Sequence, residues 1–167
     1  MAVRAKFSPV CVALGLPNAD ALLDQALREV ANGEQFFEFR LDHLSDPRAG
    51  ADVISRLRKS YPEATILATC RHRQYHGQFD GSFDDQIAIL QRAVAAGAQA
   101  VDVEVEVAEK RPAGLADLQR KTFLIVSFHD FERTPALLPV VKRLQKQPAD
   151  AIKIATTARK PSDAARL

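Results

Sequence analysis

The sequence predicts an α/β domain of the (β/α)8 TIM-barrel type, with about six of the eight strand–helix units present in its 167 residues. Short runs rich in apolar and β-branched residues alternate with longer amphipathic segments, which favours parallel strands joined by helices. No glycine-rich linker or change in composition divides the chain. Residues 1–167 are therefore expected to form one barrel domain that is incomplete at its C-terminal end.

Six runs are predicted to be the strands, because each is short, mostly apolar and rich in β-branched or aromatic residues. In chain order they are residues 10–16, 36–41, 65–70, 100–107, 123–128 and 151–155. The regular spacing of these runs fits a barrel better than an open sheet interrupted by long loop insertions.

The segments between the strands are predicted to be helices, and several have a recognisable start or stop. Asp20 is expected to cap a helix that ends at Asn32-Gly33. Tyr61-Pro62 closes the second helix, because the residue before a proline avoids helical geometry. Pro135 is expected in the first turn of its helix, where a missing N–H costs nothing. The predicted helices are residues 20–31, 49–59, 82–96 (starting at 82 or 84), 113–120, 134–147 and 160–167.

Charge and cysteine content exclude several classes of function. The 23 basic and 21 acidic residues are interspersed, so neither nucleic acid nor a membrane surface is expected as a partner. Pro9 interrupts the N-terminal apolar patch and no cleavage site follows, so a signal peptide is rejected. No run is long enough to span a bilayer. Cys11 and Cys70 lie in apolar runs and are expected to be buried free thiols in a reducing cytoplasm.

Lys153 is the least expected residue of the sixth strand, because it interrupts the mostly apolar run from Ala149 to Ala155. A buried ammonium group costs several kcal/mol unless it is paired or gives up its proton. A lysine that gives up its proton is a nucleophile, so Lys153 is a candidate for covalent catalysis. The alternative is that Lys153 ends its strand and extends its amine to solvent.

Charged residues also end the second and fourth strands. Alternate strand residues share a face, so Glu38 and Arg40 point the same way, and so do Asp102 and Glu104. Since apolar neighbours face the helices, these charges are expected inside the barrel. Glu38 and Arg40 could form only a structural ion pair. Asp102 and Glu104 are expected to hold the lysine and the arginines rather than to act on a substrate directly.

His129 ends the fifth strand, next to the strand that carries Lys153. A lone histidine more often belongs to a satisfied core, but beside a buried lysine it becomes a candidate general acid and base. The other three histidines, His43, His72 and His76, lie in polar segments without a regular ligand spacing, so no metal site is expected.

Five ordered motifs, spread over residues 9–167, resemble the signature of type I 3-dehydroquinate dehydratase, the Schiff-base enzyme of the shikimate pathway. They are Glu38-Phe39-Arg40-Leu41-Asp42, Arg71, Asp102-Val103-Glu104-Val105, the run from Leu124 to Thr134-Pro135 that contains Ser127-Phe128-His129-Asp130, and the run from Ala149 to Ala155.

The resemblance implies a lyase of aromatic amino acid biosynthesis that converts 3-dehydroquinate to 3-dehydroshikimate. Lys153 would form an imine with the substrate ketone, and His129 would move protons. Glu38 would orient His129, and Arg40 and Arg71 would hold the anionic substrate. The resemblance implies no cofactor and no metal, a small-molecule substrate as the partner, a cytoplasmic location, and a homodimer as the candidate assembly.

This chain departs from the family pattern in several places. Tyr75-His76-Gly77 replaces a common Glu-Gly-Gly stretch, Phe128 stands where a polar residue or tyrosine is usual, and Ala13 replaces a serine of several relatives. The family's seventh and eighth strands have no counterpart before Leu167. Two alternatives therefore stay open: another class I Schiff-base enzyme such as an aldolase, or a catalytically incompetent part of a barrel or half of an assembly.

Overall fold

The computed structural model describes residues 7–166, in which six parallel strands form one sheet in the order of the sequence. The strands are β1 (Val12–Leu14), β2 (Phe36–Arg40), β3 (Thr65–Thr69), β4 (Ala100–Glu104), β5 (Phe123–Asp130) and β6 (Ala151–Thr156). Each strand pairs in parallel with the next, for example through Glu38 opposite Leu67 and Ser127 opposite Lys153.

The sheet is strongly curled. In a flat sheet, β2 and β6 would lie about 19 Å apart at the usual strand spacing. Lys153 on β6 nevertheless brings its Nζ to 3.8 Å from Glu38 Oε1 on β2. The six strands therefore form an incomplete barrel whose concave face carries the charged side chains.

Helices cover the convex face of the sheet. They are α1 (Ala19–Ala31), α2 (Gly50–Ser60), α3 (Phe83–Ala95), α4 (Val105–Lys110), α5 (Pro112–Lys121), α6 (Leu137–Leu144) and α7 (Pro161–Ala164). No helix within residues 7–166 has the length and apolar content needed to cross a membrane. The first six residues and Leu167, which ended the last predicted helix, lie outside the described residues.

Three local predictions are wrong. Asn18, not Asp20, caps α1, because the Asn18 side chain accepts the N–H of Ala21 at 3.0 Å. Pro135 precedes α6, which begins at Leu137. The fourth strand ends at Glu104 rather than at residue 107, since Val105 begins α4. The residues on both sides of this boundary are buried. The apolar run therefore continues from the strand into the helix, and the sequence periodicity does not show where the strand ends.

The main core lies between the sheet and the helices. Its largest fully buried side chains come from both layers and include Phe37, Phe39, Ile66, Leu22, Leu57, Leu90 and Leu124. A second cluster fills the start of the concave face, where the ring of Phe7 lies 5.0 Å from that of Phe36 and 4.9 Å from that of Phe123. On the concave face, apolar side chains therefore fill the amino ends of the strands, and the polar side chains of the same face lie at the carboxyl ends.

The prediction of two buried thiols is half right. Cys70, directly after β3, is fully buried, whereas Cys11, just before β1, is exposed. Cys11 precedes a first strand of only three residues, so few neighbours cover it.

The strands β1 and β6 each have a single neighbour in the described sheet, and we expect the isolated 167-residue chain to self-associate. Ile152 on β6 is 40% exposed and Leu138 on α6 is 65% exposed, so one edge is apolar. Size-exclusion chromatography with light scattering should show dimers or larger species. Ile152→Lys should reduce the association, because a lysine at a strand edge disfavours edge pairing. A monodisperse, cooperatively unfolding wild-type monomer would contradict this expectation.

Candidate active site

The candidate site lies at the carboxyl ends of the strands, on the concave face. Strands β2, β4, β5 and β6 contribute Glu38, Asp102, Ser127 and Lys153, in that order. In barrels of this type the carboxyl ends of the strands carry the chemistry, because loops and strand termini converge there.

The amine of Lys153 is held by two carboxylates. Its Nζ donates to Asp102 Oδ2 at 3.0 Å and lies 3.8 Å from Glu38 Oε1. The Lys153 side chain is 36% exposed, so the lysine is partly buried, between the two alternatives that the sequence left open. The amine is paired, as a partly desolvated charge requires, and it is open to a ligand on the concave side.

Asp102 is almost fully enclosed, with a side chain only 1% exposed. One of its oxygens accepts the hydrogen bond from Lys153, and the other accepts one from the hydroxyl of Ser127. With both oxygens occupied, the carboxylate has a fixed orientation and fixes the position of the amine. Asp102 therefore lies where the partner of the lysine was predicted.

The carboxylate of Glu38 lies beside the amine of Lys153 and is not bonded to the ring of His129. Its Oε1 accepts a hydrogen bond from the hydroxyl of Thr69 at 2.7 Å, and it makes no hydrogen bond to His129 in the described structure. A role for Glu38 in orienting His129 stays a prediction. Glu38 is also placed to attract the ammonium form of Lys153.

His129 is a half-buried imidazole two residues beyond Ser127, so it follows the Ser127–Lys153 pair along the same face of β5. Its Nδ1 is buried, and within residues 7–166 it has no hydrogen-bond partner. Burial and, next, the positive charge of Arg71 lower the pKa of His129 to about 4. The imidazole is therefore neutral near pH 7 and able to accept a proton.

The two arginines of the site have different surroundings. Arg40 is tied to the buried carboxylate of Asp42 by two hydrogen bonds, Nε to Oδ1 at 2.9 Å and Nη2 to Oδ2 at 2.7 Å. Arg71 is only 5% exposed, and its buried Nε has no partner among the described residues. A buried guanidinium donor without a partner can bind an incoming anion, so Arg71 is the stronger candidate of the two for anion binding.

Glu104 does not hold the lysine, although it was expected to share that role with Asp102. Its carboxylate accepts the backbone N–H of His72 at 2.8 Å and a side-chain N–H of Gln86 at 2.7 Å. The reason is that Glu104 is the last residue of β4, where the chain turns into α4 and the side chain reaches the loop after β3. Glu104 therefore anchors that loop.

Burial raises the pKa of Glu104 from its ordinary value near 4.5 to about 7. The folded protein therefore binds more protons at this site than the unfolded chain does between these two pH values. The stability that Glu104 contributes is present below about pH 4.5 and is lost as the pH rises through 7. His129 acts in the opposite sense: its contribution is present above about pH 6.5 and is lost as the pH falls through 4.

Replacing Glu104 by glutamine removes one of these two opposing contributions. The unfolding free energy of the wild type, minus that of Glu104→Gln, should rise by on the order of 3 kcal/mol between pH 7.5 and pH 4.5. Urea denaturation at each pH measures this difference. Glu63→Gln, at an exposed position, is the matched control, and a flat profile for Glu104→Gln would contradict the effect of burial.

The sequence pattern missed several residues that support the site. The hydroxyl of Ser127 donates a hydrogen bond to Asp102, and that of Thr69 donates one to Glu38. Both residues occupy strand ends at positions that alternation places on the inner face, so the sequence carried a signal for them. Phe131 contacts the ring of His129, but it lies beyond β5, where strand periodicity gives no information. Among residues 7–166, no group of three or more His, Cys, Asp or Glu side chains could hold a metal ion.

The sequence comparisons with known proteins agree on one family. The sequence model of the type I 3-dehydroquinase family matches residues 10–167. A 3-dehydroquinate dehydratase of Desulfotalea psychrophila is 34% identical over 163 residues, covering 95% of this chain and 69% of that protein. One of Dehalococcoides mccartyi is 33% identical over 167 residues, covering 97% and 68%.

The comparison with solved structures concerns the fold. The crystal structure of type I 3-dehydroquinate dehydratase from Clostridium difficile superposes with a TM-score of 0.84 at 22% identity, covering 94% of this chain and 66% of that chain. The predicted barrel fold class is confirmed. The chain spans about two thirds of the length of the relatives that it matches.

Proposed function

The chain belongs to the type I 3-dehydroquinase family, and we propose that it dehydrates 3-dehydroquinate to 3-dehydroshikimate through an imine on Lys153. One observation carries the proposal. The amine of Lys153 lies at the open side of the strand ends, held by the buried Asp102, and a neutral histidine follows on the adjacent strand. This arrangement provides a nucleophile and a base on one face of the site.

The first step forms a covalent bond between the lysine and the substrate. Lys153 must give up a proton before it attacks, and Asp102 Oδ2 at 3.0 Å is the nearest acceptor in the described structure. The free amine adds to the carbon of the ketone, and the ketone oxygen leaves as water after taking one proton from the added amine and recovering the one held by Asp102. The resulting protonated imine withdraws electrons from the neighbouring carbon and so acidifies its C–H bond.

The second step moves a proton through His129. The neutral imidazole accepts the acidified proton, and the electron pair left on carbon is delocalised into the imine. Return of the pair expels the hydroxyl group on the next carbon, which takes a proton from the imidazolium and leaves as water. Hydrolysis of the imine then releases the product and the free amine of Lys153.

Two arginines would hold the substrate during these steps. Arg71 offers its unpartnered donor to the carboxylate, and Arg40, already fixed by Asp42, offers positive charge near the hydroxyl groups. Tyr75 does not replace the carboxylate that the family often has in this loop, because its ring stacks on Phe83 at 6.3 Å. The chemistry requires no cofactor and no metal, because the imine on Lys153 itself withdraws the electrons.

A dehydration assay tests the function of the chain. The product contains a conjugated enone, so its formation is followed as an increase in ultraviolet absorbance. We expect turnover of 3-dehydroquinate and none of an analogue that carries an alcohol in place of the ketone, because the alcohol cannot form an imine. Absence of turnover by a folded sample at any protein concentration would mean that the 167-residue chain is catalytically incompetent.

The location and assembly of the protein belong to the same proposal. A cytoplasmic location is supported by the two free thiols, since Cys11 and Cys70 form no disulfide. A homodimer is supported by the exposed apolar edge around Ile152. Light scattering on the wild type distinguishes a dimer from larger species.

A further inference from the structure

The catalytic imidazole is held by a ring contact rather than by a hydrogen bond. His129 Nδ1 has no partner within residues 7–166, which leaves the ring free to rotate as far as hydrogen bonding is concerned. The ring of Phe131 lies parallel to it, with the centroids 5.8 Å apart and an angle of 18° between the planes. An aromatic pair with this geometry is attractive and fixes the orientation of both rings.

Phe131 is itself in an unusual position for a phenylalanine. It is 49% exposed and lies outside the main core. Its second ring contact is with His76, whose centroid lies 4.9 Å away with an angle of 71° between the planes. Phe131 therefore contacts two imidazoles: it forms a stacked pair with His129 and an edge-to-face pair with His76.

His76 is presented to Phe131 by a rigid loop. Its backbone φ is +64°, a left-handed conformation that residues other than glycine adopt at a cost. Buried carboxylates hold the loop on both sides: Glu104 accepts the N–H of His72 at 2.8 Å, and Asp42 accepts that of Gln78 at 3.1 Å. The loop also folds back so closely that a Cβ on Gly77 would clash with the carbonyl of Arg71.

We propose that Phe131 is a positioning residue for His129, and that His76 supports it in this role. The stack holds the imidazole in the plane needed for proton transfer, a task that a hydrogen bond to Nδ1 would otherwise perform. This inference rests on the proposed function for its catalytic consequence, but the geometry of the stack can be tested without turnover.

The test uses two readouts on the same variants. Phe131→Leu keeps an apolar side chain but removes the aromatic face, and we expect kcat to fall about tenfold with KM changed less than twofold, because a misplaced base slows proton transfer without weakening binding. Imine trapping should be retained. Phe131→Tyr should stay within twofold of the wild type, and His76→Gly, which also relieves the left-handed backbone, should lie between the two.

The second readout is the rate at which diethyl pyrocarbonate modifies His129, measured by peptide mass with His43 as the internal reference. This reagent reacts with neutral imidazole, and its access to His129 should increase severalfold when the stacked ring is removed. Phe7→Leu is the matched control, because Phe7 packs at the opposite ends of the strands against Phe36 and Phe123 and should change neither readout.

The proposal requires both changes in Phe131→Leu. Wild-type kcat, or unchanged reactivity of His129, would overturn it; a slower kcat alone would mean that Phe131 acts on the substrate itself. If the wild-type chain shows no turnover, the proposed function fails and the reactivity of His129 alone decides whether the stack positions the ring.

Discussion

Replacing Lys153 by arginine is expected to abolish imine formation and to reduce dehydration by several orders of magnitude. Arginine keeps the positive charge that Asp102 requires, so the fold should be preserved. It remains protonated at any working pH and therefore cannot attack a ketone. The dehydration assay and the intact mass after reduction with borohydride measure the two effects.

A matched substitution separates loss of the nucleophile from a general effect of arginine. Lys160→Arg changes an exposed lysine next to α7, outside the strand ends, and should leave both measurements at the wild-type level. If Lys153→Arg still turned over substrate and still gave a trapped adduct, another lysine would be forming the imine.

Replacing His129 by alanine is expected to slow the elimination by at least ~100-fold, the usual loss when a positioned acid and base is removed. Imine formation should remain measurable, because the amine of Lys153 and its partner Asp102 are unchanged. Rapid quenching with borohydride should then trap more adduct than in the wild type, because the imine intermediate accumulates when its proton is removed more slowly.

Chemical rescue provides the control for this variant. Imidazole added to the solution can enter the space left by the side chain, so it should restore part of the activity of His129→Ala and none of that of Lys153→Arg. Turnover by His129→Ala within about threefold of the wild type would mean that the histidine is only structural.

The barrel class and the shared face of the candidate site residues could be predicted because both depend on local patterns. Strand periodicity places Glu38, Asp102 and Lys153 on one face, and a parallel sheet gathers the ends of its strands. The boundary between β4 and α4 could not be predicted, because Val105 and Val107 continue the apolar run of the strand and are buried within α4.

The contacts made by loops were also beyond prediction. Glu104 shares a face with Asp102 in the sequence pattern, but its partners are a loop amide and Gln86 from α3, which only the packed structure brings together. The contact between Phe131 and His76 likewise depends on a left-handed residue in the loop after β3. Side-chain partners from distant loops follow from tertiary packing, for which periodicity carries no signal.

Peptide mapping after borohydride reduction with 3-dehydroquinate tests most directly whether Lys153 is the imine-forming residue. Reduction converts the imine to a stable secondary amine, so the carbon skeleton of the ligand stays attached to the lysine that reacted. We predict a single modified peptide that contains Lys153 and no modification without 3-dehydroquinate. A label on Lys142 or Lys160, or no label on a folded sample that turns over substrate, would contradict the account.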